Sequence, residues 1–419
     1  MDGVANYLAH RYGHLQPSGV WQPIEEPNAQ ILVSSILEEL EKHPLHWHLN
    51  RSASDAIQAC SHVIQDEENA TRLAFQAIGF ANHQEESYIK GDSVDLLTTG
   101  INMMRGHIAE ALMILTTKLQ GHSVPFPELL SPTLRRFASN EHPAIRALIL
   151  RRLPYLQSQN AELGWDLFNL AMQDATGLWQ FAEPCLYYAY RDHFEKVLPL
   201  LARIRSEGCG KDLETWGRIS ALAALSKRID FTVWLDELKA LNATEAWQGA
   251  TNVWTHPENI RLHREQCLVG VEAGLNADAP HAIVVAQQID HIFRDITPVI
   301  SLPSELLQLC FNVFMMDDKN KHHRLFGFDE WLNATAQIDS ECALAATEVY
   351  LDYVSRAKPY LHDPENNLSQ LTTRLFAEAE EKEESDNGAM LQRVVSLQDK
   401  LLSLGLSSIN EWLKAAERL

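Results

Sequence analysis

Three histidines near the amino terminus carry side chains that can bind a metal ion. His43, His46 and His48 lie within six residues, around Pro44 and Trp47. Imidazole nitrogens are common zinc ligands, but a closed zinc site needs four ligands at defined spacings. The pattern therefore favours a loop with exposed histidines, and a metal-dependent enzyme that uses the His43 region remains a third, separate hypothesis.

Two other short patterns resemble binding sites less closely. His263 and Cys267 are four residues apart, so they would share one face of a helix, but no second pair lies nearby. The segment 208–212 reads Gly-Cys-Gly-Lys-Asp. A phosphate-binding loop needs a glycine five residues before the final glycine and Ser or Thr after the lysine. Arg205 and Asp212 occupy those positions, so we expect a helix end and a turn.

No pattern for nucleophilic catalysis occurs in the chain. There is no G-x-S-x-G sequence, and no C-x-x-C pair. We therefore predict no enzymatic activity within this chain and no cofactor. Scattered cysteines in apolar sequence are typical of free, buried thiols in a reducing compartment, and here they are Cys60, Cys185, Cys209, Cys267, Cys310 and Cys342.

Aromatic and basic residues suggest binding to another protein. Tyr, Trp and Arg dominate the energetics of protein–protein interfaces. Tyr187, Tyr190, Arg191 and His193 lie together on one predicted helix and are our first candidates for partner contact. The alternative is that half of the aromatic residues on this helix belong to the core.

Two pairs of adjacent arginines stand out in an acidic chain. They are Arg135-Arg136 and Arg151-Arg152. They could form a local positive strip, and on this basis Arg135 and Arg152 join the candidate partner-binding residues. The alternative is that they form ion pairs with neighbouring Asp and Glu side chains.

Composition limits the possible partners. The chain has 419 residues, a formal net charge of −21 and 46% hydrophobic residues, which is ample for a folded core. Nucleic acid is not expected as the main ligand, because phosphate contacts need clustered Lys and Arg. The amino terminus lacks the features of a signal peptide, and no apolar run of about 18 residues occurs. We predict a cytoplasmic protein with a protein partner and no membrane contact.

The segment 101–156 indicates a repeated helical unit. Arg105 and Arg146 follow similar helix starts and lie 146 − 105 = 41 residues apart, and Arg218 follows in a third such segment. A period of about 40 residues is typical of stacked helix pairs of the HEAT kind. Small residues such as Gly106 would let two helix backbones approach closely. These features predict an all-α, helical-repeat (HEAT/TPR-like) superhelical solenoid.

The predicted helices divide the chain into three segments. Residues 1–28, which contain three prolines, are predicted as an irregular amino-terminal lead-in. Residues 29–316 are predicted as the solenoid, and residues 317–419 as helices that continue or cap it. No alternation of period two is long enough to predict a strand.

Several segments between about residues 95 and 275 resemble a known family. NMMRGHIAEALMIL, HPAIRALILRRLPYL, EPCLYYAYRDHF and GRISALAALS are similar to the carboxy-terminal helical-repeat sensor region of Avs-type antiviral STAND ATPases. In that family an effector and an NTPase precede the sensor. The sensor binds a phage protein, the large terminase or the portal, and binding triggers NTPase oligomerisation and effector activation.

The resemblance implies that this chain is a sensor module, with the NTPase and effector outside it and oligomerisation only through those outside regions. It covers under half of the chain, and the matching motifs are packing motifs, so it assigns no recognition residue. Whether the chain is an excised sensor segment or a free-standing relative stays open. The alternative function is a helical-repeat scaffold or adaptor for host proteins with no defence role.

Overall fold

The protein is all-helical in the part that can be described. The computed structural model describes residues 1–13, 15, 28–81, 95–120, 127–140, 142–173, 177–294, 297–316, 323, 325–357 and 366–405. Every regular element among these residues is a helix, and none of them belongs to a strand. The predicted all-α class is confirmed. Within the same residues, no helix combines the length and the apolar character that crossing a membrane requires.

The chain divides into two compact units. Unit 1 is Met1–Leu200 with Glu207–Asp212, and unit 2 is Leu201–Ser206 with Leu213–Leu419. The predicted boundaries at residues 28 and 316 stay a prediction.

The helices of unit 1 pack in two rows. Their bounds are α1 (Asp2–Arg11), α2 (Ala29–Lys42), α3 (Pro44–Trp47), α4 (Arg51–Val63), α5 (Glu67–Phe80), α6 (Leu96–Ile101), α7 (Met104–Leu119), α8 (Leu130–Ala138), α9 (Pro143–Gln159), α10 (Ala161–Ala171) and α11 (Trp179–Asp192). In one row α1, α4, α7, α9 and α11 pack against each other in chain order. In the other row α2, α5, α8 and α10 do the same. The two rows also contact each other, for example through α4 and α5, α5 and α7, and α8 and α9, so their apolar faces share a core.

The amino-terminal residues differ from the predicted irregular lead-in. Residues 2–11 form α1, which packs against α4. Ala5, Leu8 and Ala9 are buried, at the i, i+3 and i+4 spacing of one helix face. The three prolines that suggested irregular structure follow this helix. Residues 16–27, where they lie, are outside the described residues.

Unit 2 contains a second set of packed helices. Their bounds are α14 (Phe231–Leu241), α15 (Thr244–Trp254), α16 (Pro257–Leu275), α17 (Ala279–Gln288), α18 (His291–Arg294), α19 (Ser304–Met316), α20 (Phe328–Ala336), α21 (Ser340–Ala357), α22 (Asn367–Asp386) and α23 (Ala389–Ser403), while α12 (Phe194–Glu207) and α13 (Lys211–Leu225) contribute residues to both units. Helices α15, α17, α19, α21 and α23 pack in chain order, and α20 packs against α18, α21 and α22.

The arginines that suggested the repeat do not share one position in their helices. Arg105 is the second residue of α7, Arg146 the fourth of α9 and Arg218 the eighth of α13. Their contacts also differ. The Arg105 guanidinium lies 5.8 Å from the Phe137 ring centre, Arg146 Nε donates to the Ala171 carbonyl at 2.8 Å, and Arg218 pairs with Glu214 at 2.5 Å. Helix starts depend on local caps, so a repeat-like spacing in the sequence did not give equal register.

Glycines allow close backbone contact between neighbouring helices. A Cβ atom added at Gly106 would lie 1.8 Å from the Gly100 carbonyl oxygen, as the small residues of this segment predicted. In unit 2 the contact is reciprocal. A Cβ atom at Gly217 of α13 would lie 2.0 Å from Ala246 O, and one at Gly249 of α15 would lie 1.9 Å from Glu214 O. Helices α13 and α15 therefore touch backbone to backbone.

This contact predicts opposite effects for two Gly→Ala substitutions. Gly249→Ala forces α13 and α15 apart, and we expect it to lower the free energy of unfolding by about 1–3 kcal/mol. Gly79 in α5 is the matched control, because a Cβ atom there meets nothing within 4 Å. Gly79→Ala should raise stability by about 0.5–1 kcal/mol, since alanine loses less backbone entropy in a helix. Urea unfolding followed by circular dichroism measures both, and equal effects would contradict the close contact.

Candidate functional site

The amino-terminal histidines lie around a short helix. His46 packs edge-to-face on Trp47, with ring centres 4.5 Å apart, and the His48 ring lies 6.3 Å from the Phe80 ring. In the described part of the chain, no three His, Cys, Asp or Glu side chains lie close enough together to hold a metal ion.

His263 and Cys267 do not form the regular helical pair that their spacing suggested. The backbone at His263 is non-helical, with φ −136° and ψ 41°, so α16 is kinked there. Cys267 is buried, and loss of solvent raises the pKa of its thiol to about 12. A protonated, buried thiol is a poor metal ligand and a poor nucleophile.

The Gly-Cys-Gly-Lys-Asp segment follows the end of α12 at Glu207 and forms a turn, as expected, before α13 begins. Gly210 has φ +52°, and α13 begins at Lys211. The buried Asp212 carboxylate accepts hydrogen bonds from the backbone N–H groups of Gly177 and Gln180, both at 3.2 Å. Loss of solvent raises the pKa of Asp212 above its usual value, against the effect of these bonds. Asp212 therefore ties two segments of unit 1 together.

Helices α9, α10 and α11 form a groove with exposed aromatic side chains, which we call the tyrosine groove. Tyr155 and Tyr188 are 60% and 65% exposed. The groove has a volume of about 350 Å³. Its lining residues are Pro154, Tyr155, Gln157, Ser158, Trp165, Tyr188, Ala189, Asp192 and His193. A cluster of exposed aromatic side chains beside one groove, unlike a single exposed side chain, marks a candidate binding surface.

The helix faces explain why these tyrosines point outward. In α11, Cys185, Leu186 and Ala189 are buried against the unit 1 core. Tyr187 and Tyr188 fall between these positions, on the opposite face of the helix, and their rings pack edge-to-face with centres 5.5 Å apart. The apolar stripe of α11 thus fixes which aromatic residues reach the surface.

Close contact between α9 and α10 shapes the floor of the groove. A Cβ atom at Gly164 would lie 2.6 Å from Gln157 Cγ, so only glycine permits this approach. The next residue, Trp165, is buried and lines the groove. Lys196 Nζ lies 5.0 Å from the Trp165 ring centre, and the His193 ring meets the same indole at 6.5 Å. The floor is therefore a fixed aromatic surface.

The four aromatic-helix candidates divide between surface and core. Tyr187 is 46% exposed and His193 lines the tyrosine groove. Tyr190, by contrast, is buried, and its hydroxyl accepts a hydrogen bond from Arg191 Nε at 2.9 Å. The Arg191 guanidinium also lies 5.6 Å from the Tyr190 ring centre. Because a buried ring cannot contact a partner, we leave Tyr190 out of the proposed surface.

The two arginine candidates form ion pairs with acidic neighbours. Arg135 Nε lies 2.6 Å from the Asp166 carboxylate at the surface. Arg152 reaches inward from α9 and binds the Glu110 carboxylate of α7 through Nε at 2.8 Å and Nη2 at 2.5 Å. Neither arginine lines the tyrosine groove. Both form ion pairs with acidic side chains, which is the alternative that the sequence offered for them.

Glu110 is the buried member of its ion pair with Arg152. Its side chain also accepts a hydrogen bond from Gln58 of α4 at 2.6 Å, so one carboxylate joins α4, α7 and α9. Burial acts to raise the pKa of Glu110, but the Arg152 charge and the hydrogen bonds from Arg152 and Gln58 outweigh it. The pKa of Glu110 is therefore lower than its usual value.

The candidate set from the sequence did not include Tyr155, Tyr188, Trp165 or Asp192. Tyr188 sits two residues from the buried Leu186, on the outward side of an amphipathic helix, and that signal is readable in the sequence. Tyr155 and Asp192 come from different helices. Their proximity depends on how α9 packs against α11, which sequence spacing does not give.

Comparison with known protein families, curated proteins and solved structures finds no match to this chain.

The Glu110–Arg152 pair yields a stability prediction. Arg152→Ala leaves a buried carboxylate without its counter-charge, and we expect a loss of about 3 kcal/mol in the free energy of unfolding. Arg151 is the exposed neighbour and the matched control. Arg151→Ala should change stability by no more than about 0.5 kcal/mol. Equal effects of the two substitutions in urea unfolding would contradict the structural role of Arg152.

The pH dependence follows from the lowered pKa of Glu110. A carboxyl group whose pKa is lowered in the folded state stabilises the fold at pH values above its pKa in the unfolded chain, here near 4.5. This stabilisation is lost as the pH falls through the pKa that the group has in the folded state. The difference between the wild type and Arg152→Ala should therefore be largest near neutral pH and should shrink in acid. A difference that grows below pH 4.5 would contradict the assignment.

Proposed function

We propose that this chain is a protein-recognition module and that the tyrosine groove is part of the surface that contacts its partner. The observation that carries the proposal is the exposure of three tyrosines beside one groove: Tyr155, Tyr187 and Tyr188 are 60%, 46% and 65% exposed. Tyrosine combines a large apolar area with few rotatable bonds, so it contributes strongly to interfaces at low entropic cost.

We further propose a helical-repeat arrangement within each unit. The support is the two-row packing of α1, α2, α4, α5 and α7–α11 in unit 1 and the chain-order packing of α15, α17, α19, α21 and α23 in unit 2. Stacked helix pairs share a continuous core and leave broad surfaces for binding.

The proposed partner is a phage protein, the large terminase or the portal. The support is the resemblance of residues 95–275 to the sensor region of Avs-type STAND ATPases. In this proposal the chain binds the phage protein and triggers the effector through an NTPase that lies outside it. The chain itself acts by binding, without catalysis or a cofactor. Its net charge of −21 favours a partner with a basic surface.

A binding experiment with a surface variant tests this proposal. The purified chain is titrated with phage large terminase and, separately, with phage portal protein. We expect one of them to bind, and the double variant Tyr155→Ala/Tyr188→Ala to weaken that binding by at least about 30-fold, the effect of losing about 2 kcal/mol at a hot spot. Isothermal titration calorimetry measures the affinity, and circular dichroism checks folding.

Phe75→Ala is the matched control. Phe75 is an aromatic residue of α5 that is 54% exposed and lies outside the groove, so its loss should leave the affinity unchanged. Absence of binding to either phage protein by the folded chain would contradict the proposal. Stable host partners recovered from uninfected cells, lost in the same double variant, would instead support the scaffold alternative.

A further inference from the structure

The tyrosine groove combines aromatic rings with a carboxylate. Tyr155 and Tyr188 line it, and Asp192 lies at its edge. We propose that the groove takes the guanidinium group of an arginine side chain presented by the partner protein. The inference rests on the proposed recognition role of the same groove and specifies its chemistry.

Two aromatic rings, one at the floor of the groove and one beside it, already hold positive charges of this chain. Lys196 Nζ lies over Trp165, and the Arg191 guanidinium lies over the ring of Tyr190. A cation is attracted to the face of an aromatic ring by the ring quadrupole. Among the described residues, no cation lies over the rings of Tyr155 and Tyr188. These two rings are the exposed ones, so they can accept a cation from outside.

Asp192 supplies a counter-charge for such a cation. It is the last residue of α11, it is exposed, and it lines the tyrosine groove beside His193. A carboxylate next to aromatic rings can accept hydrogen bonds from a guanidinium that stacks on those rings. The two kinds of group therefore match the charge and the planar shape of an arginine side chain.

Arginine fits this set of groups better than lysine. A guanidinium is planar, stacks on aromatic rings and donates two parallel hydrogen bonds to one carboxylate, whereas an ammonium is a compact point charge. The volume of about 350 Å³ is within the usual range for sites that take small groups, about 300–1,000 Å³. The acidic character of the whole chain acts in the same direction, since it attracts a basic partner.

Fluorine NMR of the intact chain can test the inference directly. The protein is labelled with 3-fluorotyrosine, and the signals of residues 155 and 188 are assigned with Tyr155→Phe and Tyr188→Phe. The probe is a capped Gly-Arg-Gly peptide. The matched peptide contains citrulline, which has the same shape without the charge, and a third peptide contains lysine.

We expect the arginine peptide to shift the signals of Tyr155 and Tyr188 saturably, while the buried Tyr353 of unit 2 is unaffected. The citrulline peptide should bind at least about tenfold more weakly, because charge-assisted hydrogen bonds are roughly twice as strong as neutral ones. Asp192→Asn should weaken arginine binding by a similar factor while leaving the melting temperature unchanged, because Asp192 is exposed. Equal binding of citrulline or lysine peptides, or an unchanged affinity in folded Asp192→Asn, would overturn the inference.

The outcome is separable from that of the proposed function. If Tyr155→Ala/Tyr188→Ala abolishes binding of the phage protein but no arginine peptide shifts either signal, recognition stands and the arginine chemistry is wrong. If the arginine peptide binds as expected but neither phage protein does, the groove chemistry stands and the assigned partner is wrong.

Discussion

The position of α9 is the constraint on which the tyrosine groove depends. This helix contacts α7, α8, α10 and α11, and its Arg152 reaches through to a carboxylate buried on α7. Glu110 binds Arg152 and Gln58 together, so a single buried charge fixes three helices of one row. With α9 held in this way, Tyr155 stands at a fixed place opposite α11.

Helix packing then decides which aromatic residues are available to a partner. The apolar stripe of α11 buries Tyr190 and turns Tyr187 and Tyr188 outward. The close approach at Gly164 brings the Trp165 indole under the groove. A recognition surface built on helices that are anchored by a buried core needs little reordering on binding, which lowers the entropic cost of association.

Much of the fold was predictable from the sequence, and much of the site was not. Periodicity gives the helices directly, and the small residue Gly106 correctly indicated close backbone contact. Arg135 and Arg152 were ambiguous, because the sequence shows basic residues but not the carboxylates that reach them from other helices. Tyr190 was included among the surface candidates although its ring is buried. Adjacent residues on a helix point about 100° apart, so closeness in sequence does not put two side chains on one face. The amino-terminal helix was missed because nearby prolines outweighed its short apolar pattern.

The same distinction applies to the repeat. The spacing of 41 residues falls on α7 and α9, which pack against each other in one row. It did not give equal register to Arg105, Arg146 and Arg218, since each helix begins where its own cap allows. Side-chain contacts therefore depend on a register that only the packed structure fixes.

Site-specific photo-crosslinking can locate the contact surface. A benzophenone amino acid replaces Tyr188 in one protein and Phe75 in another, and each is irradiated with the phage proteins proposed as partners. We expect a covalent product from position 188 and none from position 75. A product from position 75 alone, or equal products from both positions, would contradict the claim that the exposed tyrosines of α9 and α11 form the contact surface.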